Sequence, residues 1–233
     1  MSIPHRSIVA AYSRLENGLS DFLRAIPLES AHLQVWSPIL ATTILEAGSQ
    51  LDSLWKMQLR ADETASDRAD IAKYFKTFGK QVAGRWLVVW SDDGQKIVPF
   101  AEWHQATKYT RLPWWQAYNE LKHDRWMNKR NATIRNAILA VGGVFLAIIH
   151  CPMMGEALKE SGWLHTNYNP DAVTEKINND AEVAGMGAAF ETPLLSYALA
   201  YGSGRVSVSV YYRASHKLVN WLREDFRHPA PTI

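Results

Sequence analysis

The stretch Leu112–Cys151, LPWWQAYNELKHDRWMNKRNATIRNAILAVGGVFLAIIHC, decides the fold because it joins the densest polar cluster of the chain to its most apolar segment. The apolar run Ala137–Ile149 has 13 residues, which suits a buried helix and is too short to span a bilayer. We predict that this helix begins after Asn131 or Thr133 and ends near His150. Gly142-Gly143 inside it would allow another helix to approach closely.

The composition is that of an ordinary globular protein. The 233 residues, 47% apolar and 21% charged, can form one domain with a sizeable core. A net charge of +2 gives no global field for nucleic acid, although local basic clusters could still bind it. The ten tryptophans are expected mainly in the core, although some could stack on bases.

Cysteine and histidine usage argues against a metal site and fits a reducing compartment. Cys151 is the only cysteine, which excludes an internal disulfide and a cysteine-based zinc site. The histidines show no metal-binding spacing, and the N-terminus lacks the apolar core of a secretory signal. We therefore predict a cytoplasmic protein with no metal, no cofactor and no membrane partner.

Apolar residues at helical spacing predict helices before and within the opening stretch. The first covers Ser7–Ala25, with Ser7 as N-cap and Pro27 after its end. The second runs from near Ser30 to about Leu59, unless Pro38 marks its first turn. Further predicted segments are residues 61–70 as a linker or the start of a third helix (Ser66–Gly79), and a helix from Trp114 to about Arg125.

Two segments have strand character. Arg85–Trp90 and Lys96–Phe100 flank Asp92-Asp93-Gly94 and predict a β-hairpin; Arg205–Tyr212 alternates valine with polar residues and should pair with it. Short helices are expected at Glu191–Tyr201 and Ser215–Phe226, and a helix or loop at Met153–Gly162. We predict a mainly α fold: one domain, residues 1–233, as a bundle of four to six helices with a small antiparallel β element.

The polar cluster before the apolar helix has the ingredients for phosphodiester cleavage without a metal. On a helix Asn119 and His123 share a face, and Lys122 lies beside Asn119. A histidine can act as general acid or base, while Lys122 and Arg125 could hold a phosphate. The alternative is that these cations simply favour the C-terminal end of a helix dipole.

The segment WWQAYNELKHDR, followed by NATIRNAILAVGGVFLAI, resembles helical bacterial proteins of the HEPN type. The resemblance covers roughly residues 30–60 and 112–150. It implies an all-α bundle that forms a homodimer and a metal-independent ribonuclease of a phage-defence or toxin system. RNA is then the substrate, and a protein from the same operon is a possible partner.

The resemblance also implies roles for individual residues. His123 would be the acid/base, with Arg125, Asn119 and Lys122 beside it. The acidic partner on an earlier helix would be Glu46 or Asp52. The candidate substrate-binding residues are Trp114, Trp115, Tyr118 and Arg130. We expect Asn119, His123 and Arg125 to line one concave pocket, with Tyr118 or a neighbouring tryptophan as its wall.

The sequence departs from the family motif at one point. Active members carry an Arg, four to six intervening residues and then the His, whereas here only three residues separate Asn119 from His123 and no Arg stands at the motif's distance upstream. A catalytically inactive helical module that binds a partner or nucleotide is therefore the alternative function, and a purely structural role for the cluster is a third.

Overall fold

Seven α-helices and seven β-strands lie in the part of the chain that the computed structural model describes, which is residues 4–61, 69–90, 95–166, 169–178, 188–198, 207–212 and 217–222. The helices are α1 His5–Ala25, α2 Pro38–Ala61, α3 Ile71–Val82, α4 Pro113–His123, α5 Ile134–Ile149, α6 Gly155–Glu160 and α7 Pro170–Asn178. The strands are β1 Leu87–Val89, β2 Gln95–Ile97, β3 Leu164–Thr166, β4 Ala188–Glu191, β5 Leu195–Ala198, β6 Ser207–Tyr212 and β7 Lys217–Leu222.

Helix α5 is the centre of the core, as the sequence predicts. Every residue from Ala137 to Ile149 is buried, and the helix contacts α1, α2 and α4. Thr133 is its N-cap, because the Thr133 hydroxyl accepts a hydrogen bond from the Asn136 N–H at 3.2 Å. Helix α2 makes the most extensive contact with α5.

The two central glycines of α5 permit close packing on two sides. A Cβ added at Gly143 would lie 3.0 Å from Trp114 Cζ2, so α4 approaches closely there, as predicted. At Gly142 the neighbour is the β1–β2 hairpin instead, because a Cβ would lie 2.9 Å from Ile97 Cδ1. The two glycines therefore allow both α4 and the β1–β2 hairpin to pack closely against α5.

The predicted starts of three helices are refined by the structure. Pro38 begins α2, after a 3₁₀ turn at Ser30–His32, so the alternative placement of that helix is correct. The prediction of Ser7 as N-cap is wrong, since α1 starts at His5. Helix α3 begins after Asp70, whose side chain accepts a hydrogen bond from the Lys73 N–H at 2.9 Å. The predicted start at Ser66 lies outside the described residues.

The largest difference from prediction is the sheet. Five antiparallel strands run in the order β2-β1-β5-β4-β3, and β6 pairs with β7 in a separate two-stranded sheet. The predicted hairpin is confirmed as β1–β2, although its predicted turn at residues 92–94 lies outside the described residues. Its predicted pairing with the strand ending at Tyr212 is wrong, because β1 pairs with β5 through Val88 and Ser196.

Two predicted helices are strands. Within Glu191–Tyr201 a tight turn separates β4 from β5: the Thr192 N–H donates to the Leu195 carbonyl at 2.8 Å, and the Leu195 N–H donates to the Thr192 hydroxyl at 3.1 Å. Within Ser215–Phe226, residues 217–222 form β7. The architecture is mainly helical with a five-stranded antiparallel sheet, which is larger than the small element predicted. Among the described residues, no helix is both long and apolar enough to cross a membrane.

Candidate nucleic-acid interface

The connection between α4 and α5 is an ordered turn held by its own polar side chains. The Asp124 carboxylate accepts a hydrogen bond from the Met127 N–H at 3.0 Å. The Asn128 side-chain amide donates to the carbonyl oxygens of Glu120 and Asp124 at 3.1 and 3.0 Å. The same two carbonyls also accept backbone N–H groups, from Asp124 at 2.9 Å and from Asn128 at 3.1 Å. Asn131 donates to the Glu120 carboxylate, so the turn is fixed at both ends.

The same turn is fastened to the start of α2. The Arg125 guanidinium donates to the Pro38 carbonyl at 3.0 Å and to the Thr42 hydroxyl at 2.7 Å. Four residues later, the Lys129 ammonium lies 5.5 Å from the centre of the Trp36 ring, in cation–π geometry. These contacts bracket residues 126–127 and hold the turn against residues 36–42.

Large apolar side chains are exposed on this turn and beside it. Trp126 is 83% exposed and Met127 is 81% exposed, with Ile39 and Trp36 at 57% and 40%. Of the five large apolar side chains exposed among the described residues, four lie here and the fifth is Met153. This group of exposed apolar side chains on neighbouring segments is a candidate binding surface. We call it the Trp126 surface, comprising Trp36, Ile39, Arg125, Trp126, Met127 and Lys129.

The charge at this surface is positive, although the whole chain is nearly neutral. Four exposed cations fall within nine residues: Lys122, Arg125, Lys129 and Arg130. The one exposed acid among residues 122–130 is Asp124, which accepts the Met127 N–H. Flat aromatic surface and positive charge therefore coincide on one fixed turn.

The predicted pocket is not assembled in the way the sequence suggested. Asn119 is half-buried, whereas Lys122, His123 and Arg125 are exposed. Lys122 lies over the Tyr118 ring, with its ammonium 5.5 Å from the ring centre. Arg125 is engaged with the first turn of α2. The cluster is thus spread over the end of α4 and the turn after it.

Three of the four predicted substrate-binding residues belong to the core. Trp114, Trp115 and Tyr118 are 0%, 6% and 5% exposed. The Trp114 indole N–H donates to the Pro99 carbonyl at 2.7 Å, and the rings of Trp115 and Tyr118 lie 5.0 Å apart. Their role is corrected accordingly, since a base cannot stack on a ring that other side chains cover. Arg130, the fourth, is exposed.

Neither of the two predicted acids has a hydrogen bond or ion pair with the polar cluster, although Glu46 stands one turn along α2 from Thr42, which Arg125 contacts. Asp52 accepts hydrogen bonds from Lys56 and Tyr74, both at 2.6 Å. The Tyr74 ring in turn contacts Trp115, near the start of α4, whereas His123 is at its end. Glu46 accepts from the Gln50 amide at 2.9 Å, and that amide also reaches a carbonyl of α1. Neither carboxylate is brought to His123.

Comparisons with protein-family models, curated proteins and solved structures found no match to this chain. No group of three or more His, Cys, Asp or Glu side chains in the described part of the chain is placed to hold a metal ion.

A further site that the sequence prediction missed is a buried carboxyl on α1. Glu16 is 1% exposed and accepts hydrogen bonds from the hydroxyls of Thr192 and Tyr12, the latter at 3.4 Å, and from the Leu194 N–H. Burial raises the pKa of Glu16 to about 7, and these hydrogen bonds oppose the rise. The sequence does carry a signal for this buried carboxyl, because Glu16 stands in the apolar stripe of α1 with Tyr12 and Leu19.

Proposed function

We propose that this protein binds single-stranded RNA through the Trp126 surface. The observation that carries the proposal is an exposed tryptophan on a hydrogen-bonded turn that also presents cations. Proteins that bind single strands combine aromatic faces for the bases with positive charge for the phosphates. Trp126 supplies the first, and Arg130 and Lys129 supply the second.

The fixed geometry of the turn supports binding. A turn whose backbone is already ordered loses little conformational entropy when a ligand covers it. Because Asp124, Asn128 and Arg125 hold the backbone on either side of Trp126, ordering of the turn need not be supplied by the ligand. A base stacked on such a tryptophan contributes about 1–3 kcal/mol.

The charge favours a polyanion over a second copy of the chain at this surface. A two-fold symmetric contact would bring the same patch of each subunit together. Lys129, Arg130 and Arg125 would then face their own copies, and like charges across an interface oppose binding. Dimerisation elsewhere, a partner from the same operon and a cytoplasmic location stay predictions.

A metal-independent ribonuclease of the HEPN type is the second candidate. It is favoured by the exposed imidazole of His123, which stands at the end of α4 two residues before Arg125 and beside Lys122. An RNA strand on the Trp126 surface would pass close to that ring. His123 would then act as the general acid or base on the bound phosphodiester.

The binding proposal is tested by the fluorescence anisotropy of a labelled 12-nucleotide RNA. We expect Trp126→Ala to weaken binding about ten-fold or more, because one stacked base is lost. Lys129→Glu should also weaken it and lower the salt dependence. The matched control is Lys80→Glu on α3. It makes the same charge change at an exposed position of α3, a helix that contacts α2 through Tyr74 and Asp52, and Asp52 lies about 20 Å along α2 from Pro38.

The outcomes separate the candidates. Equal weakening by Lys129→Glu and Lys80→Glu, or unchanged binding by Trp126→Ala, would contradict an RNA site here. Cleavage of the same RNA in EDTA that His123→Ala abolishes, with binding retained, would support the ribonuclease; binding without cleavage supports the inactive module. Failure of RNA to bind while an acidic protein does would replace RNA by a protein partner.

A further inference from the structure

A concave site lies between α1, α2 and α5, and it shares no lining residue with the Trp126 surface. Its cavity measures about 350 Å³, within the range of small-molecule sites. Its floor and walls are apolar side chains: Ile8, Ala11, Leu54, Met57, Val144 and Ile148. Leu54, Val144 and Ile148 are 4%, 1% and 1% exposed, so the floor is part of the main core.

The helix faces explain why the space is hollow. Ser7 and Ala11 stand one turn apart on α1, and Ser49 and Ser53 stand one turn apart on α2. These short side chains leave room where longer ones would meet. The helices are held together at this level by Gln50, whose side-chain amide donates to the Ala11 carbonyl at 3.2 Å.

The formal charge among the lining residues of the cavity is negative. Of the described residues that line it, Glu46 alone is charged. One Glu46 carboxylate oxygen accepts the Gln50 amide at 2.9 Å, and the second carries no hydrogen bond among the described residues. A carboxylate at the mouth of an apolar cavity complements a cation on an apolar body, and it disfavours an anion.

We propose that this cavity binds a small amphipathic amine, with its apolar body against Leu54, Val144 and Ile148 and its ammonium at Glu46. The Glu46 carboxylate accepts a hydrogen bond from the ammonium, while the apolar body of the amine displaces water from the apolar floor of the cavity. The exposed position of Glu46 keeps its electrostatic contribution modest, so burial of the apolar body supplies most of the affinity. This site is independent of the proposed RNA binding.

Three probes of equal length test the proposal on the full chain at pH 7: hexylamine, hexan-1-ol and hexanoate. Titrations are followed by ¹H–¹³C NMR of the isoleucine, leucine, valine and methionine methyl groups. We expect saturable shifts at Ile8, Ile148 and Met57, with hexylamine binding about two- to five-fold more tightly than hexanol and hexanoate weakest. Glu46→Gln should remove the advantage of the amine over the alcohol.

Two further variants complete the test. Ser53→Phe, at an exposed position on the wall, should abolish binding of all three probes while the circular dichroism spectrum stays that of wild type. Glu156→Gln, an exposed acid on α6, should leave the preference unchanged. The proposal is overturned if no probe saturates, if hexanol binds as tightly as hexylamine to wild type, or if Glu46→Gln keeps the preference.

Discussion

At the scale of single residues, burial decides which polar groups have unusual chemistry. Glu16 sits among apolar side chains with hydroxyl and backbone donors around it, and no cation is among the causes of its shifted pKa. His123 and Arg125, which look more reactive in the sequence, lie at the surface. Two of the three hydrogen bonds to Glu16, from Thr192 and Leu194, connect α1 to the turn between β4 and β5, and the third, from Tyr12, lies within α1.

The raised pKa of Glu16 predicts the sign of a pH effect on stability. Between its usual value of 4.5 and about 7, the folded protein holds a proton on Glu16 that the unfolded chain releases. The Glu16 contribution to the free energy of unfolding is therefore fully present below pH 4.5 and is lost as pH rises to about 7. The loss is roughly 3 kcal/mol, at about 1.4 kcal/mol per pKa unit.

Urea denaturation at pH 5 and pH 8 measures this effect. Glu16→Gln keeps a neutral side chain of the same shape, so its free energy of unfolding should fall less than that of wild type between the two pH values. Glu156→Gln, at an exposed site on α6, serves as the control and should follow wild type. Equal changes in wild type and Glu16→Gln would contradict a buried, proton-holding carboxyl.

At the scale of elements, strong local periodicity predicts well and weak periodicity does not. The 13-residue apolar run and the apolar stripe of residues 7–25 each predict a helix, and they form α5 and α1. The segments Glu191–Tyr201 and Ser215–Phe226 suit either a helix or a strand. Pairing of β5 with β1 and of β7 with β6 makes both segments strands. Such long-range contacts cannot be read from a single stretch of sequence.

The contact between α2 and α4 depends on a residue without a side chain. A Cβ added at Gly48 would collide with the ring of Tyr118, which is buried and packs on Trp115. We expect Gly48→Ala to lower the free energy of unfolding by about 1–3 kcal/mol, because a packed core accommodates added atoms poorly. Gly18→Ala on α1 is the matched control.

Gly18 has open space where its Cβ would lie, and both glycines are helical. Gly18→Ala should therefore leave stability unchanged or raise it by about 0.5–1 kcal/mol, the usual gain for alanine over glycine in a helix. Thermal or urea unfolding of the two variants side by side gives the comparison. A stabilising Gly48→Ala would show that Tyr118 can move aside at little cost.

At the scale of the whole molecule, the sequence indicates the region of the proposed binding surface but not all of the residues that form it. The stretch from Trp114 to Arg130 contains four of the six residues of the Trp126 surface, which are Arg125, Trp126, Met127 and Lys129. Trp114, Trp115 and Trp126 look alike in the sequence. Trp114 packs against α5 and Phe100, and Trp115 packs against Tyr74 and Tyr118, whereas Trp126 is 83% exposed. Ile39 and Trp36 join the surface through the fold alone.

The most direct test of the Trp126 surface is ¹⁹F NMR of the protein labelled with 5-fluorotryptophan, titrated with the 12-nucleotide RNA. The Trp126 resonance is assigned by its absence in Trp126→Phe. A base stacked on an indole changes the environment of its fluorine, whereas rings in the core keep theirs. We expect the resonances of Trp126 and Trp36 to shift saturably, while those of the buried Trp55 and Trp114 stay in place. Saturating RNA that leaves the Trp126 resonance unmoved would contradict the account.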